Sequence, residues 1–504
     1  MFLTLVAIQS IFEMIMKKNY SYLLLILLIG ILLLGCLERS NTDITRTLKS
    51  QDTFIHKPEE FKQLYDKLDS MDFYNAMSIG IIRPDTTIFW DFGTANDSSL
   101  FRLGSVSKSF VGLSILKLVE QNKVSLEDTL IKIVPELPFR NSFDQPVLIR
   151  HLLEATAGFI TYRKEDFFSD PEVTPLGVLV RNYAYDFEPS WEPGTFSAYH
   201  NVGPTISGYI VEKKSGMVYH DFVKKNFFDP LGMTRATIIV NEDLKKNLIN
   251  YNDSTYEHIA HRAAAAITTS SREMIHFLKM LISDGVYNGK QILQKESVDR
   301  FETSTSSLAS RQLHVKDGHS INNWTIFYNG VKYHAHGGRV DPKYSAFYAY
   351  SSEFKTGFIW MVEGTKNMND INAVVRQILP FLQPNVETPP VKQIPVEKEN
   401  VFIGCYQKIQ KSTVDEADIQ IELIRDSNGN LAIFDNNFDD PPNVKPLKST
   451  DAKYVYLDDN PKNNFSFTGQ TKYALVTDGD GVNYIQSISF PWNAYKQISC
   501  EKKN

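Results

Sequence analysis

The strand-forming stretches of this 504-residue chain stand at the two ends of one long block, with helical patterns filling the interval. "AMSIGIIRPDTTIFWDFG" (76–93) holds two β-rich runs broken by Arg83-Pro84-Asp85. Proline presets the turn dihedral and aspartate bonds its own backbone, so the stretch predicts a hairpin. Strand-like runs return at 324–335, 344–350 and 357–362. Between them, apolar residues recur at three- to four-residue spacing from Leu103 to about Gln121, with Phe110, Leu113 and Leu116 on one face. Further helices are expected at 147–155, 203–214, 218–226 and 270–284, the last opening on a Ser270-x-x-Glu273 capping-box pattern. Glu60 to Leu68 and about Asp370 to Leu382 also have helical spacing. The order predicts an α+β fold: a sheet assembled from both chain ends beside a helical region.

The length suggests roughly two to four domains. Residues 383–400, with four prolines and no apolar period, predict a linker. Beyond it, 401–504 consists of short strand-like runs separated by "RDSNGN", "DDNPKNN" and "TDGDGVN", which predicts a small antiparallel barrel or sandwich. "DGDG" (478–481) lacks the remaining ligands of a calcium loop. The net charge of −6 comes from interspersed residues, and no basic run suggests a nucleic-acid partner.

At the other end, "MKKNYSYLLLILLIGILLLGC" (16–36) has two lysines, an apolar core and a terminal Gly-Cys. The core from Leu23 to Leu34 is shorter than a comfortable bilayer span and suits a signal-peptide core. "LLGC" (33–36) resembles the lipobox of bacterial lipoproteins, which implies lipidation at Cys36, a signal peptide over 1–36 and a polar tether over 37–57. A simple N-terminal membrane anchor is the alternative, and translation is expected to begin at Met14 or Met16. Of the remaining thiols, Cys405 and Cys500 either pair or stay free, and spacing gives no Cys/His metal cluster.

Ser-x-x-Lys occurs four times: Ser105/Lys108, Ser114/Lys117, Ser352/Lys355 and Ser499/Lys502. A serine hydroxyl needs a nearby base to act as a nucleophile. On a helix, residues three apart share a face, so Lys108 can lie over Ser105 at a helix start. Lysine accepts a proton only when neutral, which requires burial or nearby positive charge. Two later stretches select the first pair. "EPGTFSAYHNVG" contains Tyr199-x-Asn201, and "YHAHGGRVDPKYSAFYAY" contains His336-Gly337-Gly338 entering a strand.

In this order the three elements resemble the serine β-lactamase and penicillin-binding-protein superfamily, in its class C β-lactamase, D-alanyl-D-alanine carboxypeptidase and esterase branch. The likeness covers roughly residues 60–382 and includes "IRHLLEATAGF", "VEKKSGMVYHDFVKKNFFDPLGM" and "MLISDGVYNGKQILQKES". It implies a β-lactamase/transpeptidase-like fold over 58–382 and an acyl-enzyme mechanism without metal or organic cofactor. It further implies Ser105 as nucleophile, with Lys108 and Tyr199 sharing general-base and general-acid work. Asn201, His336 and Gly338 would bind substrate, and the backbone N–H groups of Ser105 and Arg339 would form the oxyanion hole. His336 replaces the lysine of the family's Lys-Thr-Gly element; the literal Lys355-Thr356-Gly357 is expected at the far end of a strand.

Taken singly, Tyr199 reads as a packed aromatic, Asn201 as a helix cap and His336 as a strand-end residue, while His200 is read as structural. Ala155 and Ala157 stand where relatives carry a histidine and a serine, Pro204 where an aromatic is usual, and 262–269 lacks the usual glycines. The expected activity is hydrolysis of an ester, a D-amino-acid peptide or a β-lactam, with histidine at 336 leaning towards the first two. The alternative is a weakly or non-catalytic envelope-binding protein. Region 401–504 resembles the lipocalin-like β modules appended to this family. Partners are expected to be a small-molecule or peptide substrate and, through the lipid, a membrane of the bacterial envelope.

Overall fold

In the computed structural model the described residues are 58–159, 173–183, 188–252, 256, 258–328, 331–340, 343–364, 368–382, 399–409, 419–435, 443–450, 453–458, 471–488 and 494–500. The expected signal peptide, Cys36, the tether and almost all of the expected linker lie outside them.

The hairpin is β1 (Ala76–Ile82) and β2 (Thr87–Gly93). The second group of strands is β3 (Trp324–Tyr328), β4 (Val331–Val340), β5 (Tyr344–Ser351) and β6 (Thr356–Glu363). They form one antiparallel sheet in the order β2-β1-β6-β5-β4-β3, so the two chain ends meet at the β1–β6 ladder. The run at 324–335 is thus not one strand but part of an antiparallel pair, with Trp324 opposite Ala335. Asn329-Gly330, a dipeptide favoured between hairpin strands, stands between the two halves and is the signal that divides the run.

All seven residues of β1 are buried because both faces of the sheet are covered. Met77, Ile79 and Ile81 join a core with helix α1 (Pro58–Asp69) and a C-terminal helix spanning Met368–Leu382. On the opposite face a helix spanning Ser271–Ile282 packs so closely that a Cβ on Gly80 would lie 2.7 Å from Ile275. Ser270 caps that helix by accepting from the Glu273 N–H, but only half of the capping box forms. The Glu273 carboxylate instead takes the Thr269 hydroxyl and the Arg235 N–H.

Helix α2 (Ser107–Glu120) runs through the larger core and is buried on nearly every side. Its apolar residues accordingly extend round the helix. Phe110 stacks on Phe277 with centroids 4.5 Å apart, and Gly112 lets the backbone of Ile321 approach.

At the C-terminus, eight antiparallel strands close into an up-and-down barrel: β7 (Gly404–Lys408), β8 (Gln420–Arg425), β9 (Leu431–Asp435), β10 (Asn443–Ser449), β11 (Val455–Asp458), β12 (Lys472–Thr477), β13 (Asn483–Ser487) and β14 (Ala494–Ile498). Closure by the β7–β14 ladder removes exposed strand edges. Cys405 and Cys500 form a disulfide across that seam, deciding between the two possibilities left open by the sequence. Asp478 of the "DGDG" turn spends its carboxylate on the N–H groups of Asp480 and Val482 and on the Tyr484 hydroxyl.

Candidate active site

Ser105 lies in a single 3₁₀ turn, Gly104–Val106, that leads directly into α2. In this tighter helix, residues three apart eclipse each other, which brings Lys108 over Ser105 more directly than an α-helical turn would. The Lys108 Nζ is 2.9 Å from the Ser105 Oγ. It also donates to the Asn201 Oδ1 at 2.6 Å and to the Ala264 carbonyl at 3.2 Å. Lys108 is fully buried, whereas Ser105 is half-buried among buried neighbours.

Burial holds the Lys108 ammonium well below its usual range. A neutral amine has two N–H donors and one lone pair. The Asn201 amide oxygen and the Ala264 carbonyl are acceptors only, so they use the two donors and leave the lone pair for the Ser105 hydroxyl. That is the arrangement a general base requires. The Ala264 carbonyl carried no side-chain signal in the sequence.

Tyr199 sits over this pair, with its ring centroid 4.9 Å from the Lys108 Nζ. Asn201 immediately precedes helix α3 (Val202–Ser215), and its backbone carbonyl accepts from the Thr205 N–H and hydroxyl. Its side chain makes no cap bond and is directed to Lys108.

Strand β4 brings the third element. β3 pairs only as far as Ala335, so from His336 to Val340 that edge of β4 is left to the Ser105 turn. The approach is so close that a Cβ on Gly338 would lie 2.0 Å from the Leu103 carbonyl oxygen and 2.7 Å from the Ser105 nitrogen. Gly104, at φ +55°, faces the Arg339 backbone in the same way, its Cβ position 2.5 Å from the Arg339 nitrogen. Two glycines therefore let the main chains of Ser105 and Arg339 meet. No larger residue fits either position without moving backbone.

His336 is fully buried and stacked on Trp324 at 4.3 Å, with the Tyr199 ring 6.2 Å away. Its Nδ1 donates to the Gly337 carbonyl at 2.7 Å. That bond selects the tautomer and leaves Nε2 as an acceptor. Burial, the Lys108 charge and His319 hold the ring well below the normal histidine range.

Of the remaining Ser-x-x-Lys pairs, Ser114/Lys117 and Ser352/Lys355 have other partners, and Lys502 of the fourth lies outside the described residues. Ser114 bonds back to the Phe110 carbonyl, and Lys117 reaches Glu120 and the Ile292 carbonyl. Lys355 lies in the turn after β5 and donates to the Ile282 carbonyl, at the opposite end of that strand from Gly338 and its partner Ala346. His200 is buried, accepts from the Gly203 N–H and is pushed down to about 3 by burial, His319 and Lys108.

Two features were not foreseen from the sequence. His319 is buried with its ring 6.3 Å from that of Tyr199. Glu154, in the divergent "LLEATAGF" segment, is fully buried and gathers Arg300, the Thr305 N–H and hydroxyl, and the Ser306 N–H and hydroxyl. Burial opposes its charge, but Arg300 and these hydrogen bonds hold the carboxyl below its usual range.

The sequence matches the family described as Beta-lactamase over residues 61–379. A penicillin-binding protein of Bacillus subtilis is 27% identical over 249 residues, 46% of this chain and 53% of that protein. A beta-lactamase of Yersinia enterocolitica is 24% identical, over 40% of this chain and 54% of that protein. The chain thus spans about half the length of these curated relatives. Among solved structures, a beta-lactamase/D-alanine carboxypeptidase from Yersinia pestis superposes with a TM-score of 0.54 at 17% identity, covering 64% of this chain and 98% of its own. An octameric penicillin-binding protein homologue from Pyrococcus abyssi gives 0.50 at 19% identity and covers 87% of this chain and 98% of its own. These structures share the β-lactamase/transpeptidase-like fold with this protein. The match runs from α1 to the helix that closes the sheet, through all three elements of the site, and the chain belongs to the Beta-lactamase family.

Proposed function

We propose that the protein is a serine hydrolase that works through an acyl-enzyme on Ser105. The observation that carries this reading is a buried lysine whose Nζ lies 2.9 Å from the Ser105 Oγ and is held there by the Asn201 amide oxygen and the Ala264 carbonyl, with burial favouring its neutral form. The Ser105 Oγ attacks the substrate carbonyl and its proton passes to Lys108. The oxyanion that forms is held by the N–H groups of Ser105 and Arg339, a pair of donors whose loss individually costs about 10²–10³ in rate. Lys108, with Tyr199 above it, returns the proton to the departing group. Water then attacks the acyl carbonyl, gives its proton to the same relay and releases Ser105.

A neutral His336 supplies polarity without charge, which favours an uncharged ester over a substrate that must be held by its carboxylate. This places an esterase ahead of a D-amino-acid peptidase, and both ahead of an efficient β-lactamase. Hydrolysis of p-nitrophenyl acetate by the detergent-solubilised chain, beside its Ser105→Ala variant, tests the assignment. Turnover that disappears in the variant supports it, and full activity in the variant rejects it.

The same reading places the protein in the bacterial envelope, lipidated at Cys36 and facing an oxidising exterior or periplasm. The 16–36 segment and the Cys405–Cys500 disulfide support this location, since stable disulfides belong to exported proteins. Release of a Cys36→Ala variant from the membrane fraction is the expected result.

A further inference from the structure

The segment that delivers Tyr199 has no regular structure of its own. Residues 190–200 contain neither helix nor ladder. One side hangs on the turn at 154–156: the Gly194 N–H donates to the Thr156 carbonyl, the Ala198 N–H to the Ala155 carbonyl, and the Ser197 hydroxyl to the Glu154 carbonyl. The other side rests on the barrel. Trp191, Phe196 and Ala198 share an apolar cluster with Val476, Tyr484 and Ile488. The Phe196 and Tyr484 rings are 5.4 Å apart, and Phe196 is three residues before Tyr199.

A narrow cleft runs beside this cluster. Its walls include His319 and Ser197 from the catalytic part and Gln486 and Ser487 from β13. His319 and Gln486 are both more than nine-tenths buried. His319 is held by hydrogen bonds to the backbone of Glu154 and Ser320, and the buried Gln486 Oε1 has no hydrogen-bond partner among the described residues. A ring N–H and an amide oxygen are complementary, and buried polar groups are normally paired, directly or through water. The His319 and Tyr199 rings meet near-perpendicular, with centroids 6.3 Å apart.

We propose that the barrel is part of the scaffold that positions Tyr199, with Tyr484 acting through Phe196 and Gln486 acting through His319 as positioning residues. This rests on the proposed proton-relay role of Tyr199. A misplacement of about 1 Å at a reacting group costs up to about 10²-fold in rate, so loss of either support is read in kcat.

The test uses the full chain in detergent with p-nitrophenyl acetate, measuring kcat, KM and melting temperature for Tyr484→Ala, Tyr484→Phe, Gln486→Leu and Gln486→Glu. Tyr484→Ala and Gln486→Leu are expected to lower kcat by about tenfold or more with KM little changed. Tyr484→Phe, which keeps the ring, and Gln486→Glu, which keeps an acceptor, are expected to recover most of it. A merely structural role would lower the melting temperature and leave kcat of the folded enzyme as it was. If Tyr484→Ala does not fold, the isosteric Gln486→Leu decides alone. Wild-type kcat in Gln486→Leu, or equal losses in the conservative and non-conservative variants, overturns the proposal. Ser105→Ala in the same assay separates the two ideas. An inactive Ser105→Ala beside unaffected barrel variants sinks only this inference, whereas an active Ser105→Ala sinks the underlying reading.

Discussion

The Lys108 amine and the Asn201 side-chain oxygen are 2.6 Å apart, both buried, in a region where burial alone holds the amine's proton affinity down. Among the described residues no carboxylate pairs with Lys108 to balance a charge there. The site therefore depends on the amide at 201 being uncharged.

Replacing Asn201 tests that dependence. Asn201→Ala removes an acceptor and is expected to lower kcat by about 10²-fold, within the range of general-base effects. Asn201→Asp places a carboxylate beside the amine, stabilises the ammonium and is expected to move the activity profile to higher pH. An unshifted profile in Asn201→Asp would show that Lys108 is not the titrating base.

The wild-type pH profile follows from the same groups. The Lys108 pKa in the folded protein lies well below 10.5, so activity rises with pH as the amine loses its proton. Burial, with the Lys108 charge, holds His200 and His319 at about 3 and 4, and His336 is also lowered. The His200 and His319 rings stay neutral above pH 5, and kcat/KM is expected to show one ascending step set by Lys108. A separate ascending step near 6.5 would contradict this assignment.

Much of the catalytic arrangement was readable because it depends on short spacings. Ser105 and Lys108 are three residues apart, and Tyr199 and Asn201 two, whereas the close backbone approach at Gly338 emerged only in the structure. The antiparallel sheet and its construction from both chain ends were readable from the strand runs at 76–93 and 344–362. What escaped depends on long-range contact. No local pattern connects the Ala264 carbonyl to Lys108, His319 to Tyr199, or Gln486 to a cleft beside residue 197. Glu154 looked like a departure in one segment, and its five donors come from residues 300–306, about 150 positions later. The division into β3 and β4 was legible but not read: Asn329-Gly330, a hairpin dipeptide, stands between two runs of the same β-rich character.

Glu154 is expected to matter for stability. Its folded pKa is lowered, so its contribution is complete above the unfolded carboxylate range and fades as pH falls through the folded value. Glu154→Gln leaves the Arg300 guanidinium without its counter-charge and is expected to destabilise by about 3 kcal/mol at pH 7. The difference from wild type should shrink in acid. Urea unfolding at pH 7 and pH 4 measures both effects.

The Cys405–Cys500 bridge spans 95 residues and joins the first and last strands of the barrel at its seam. In the chain-entropy account, closing a loop of this size is worth roughly 4–5 kcal/mol. A Cys405→Ser/Cys500→Ser double variant is expected to lower barrel stability by an amount of that order. Unchanged unfolding under reducing and non-reducing conditions would argue against a stabilising bridge.

The central claim is that Ser105 becomes acylated, and trapping the intermediate tests it most directly. The protein is mixed with excess p-nitrophenyl acetate, quenched in acid within the first turnovers, and analysed by intact mass and peptide mapping. The account predicts one acetyl group, located on Ser105 and absent from Ser105→Ala. A stoichiometric acetyl group on another residue, together with wild-type turnover in Ser105→Ala, would contradict it.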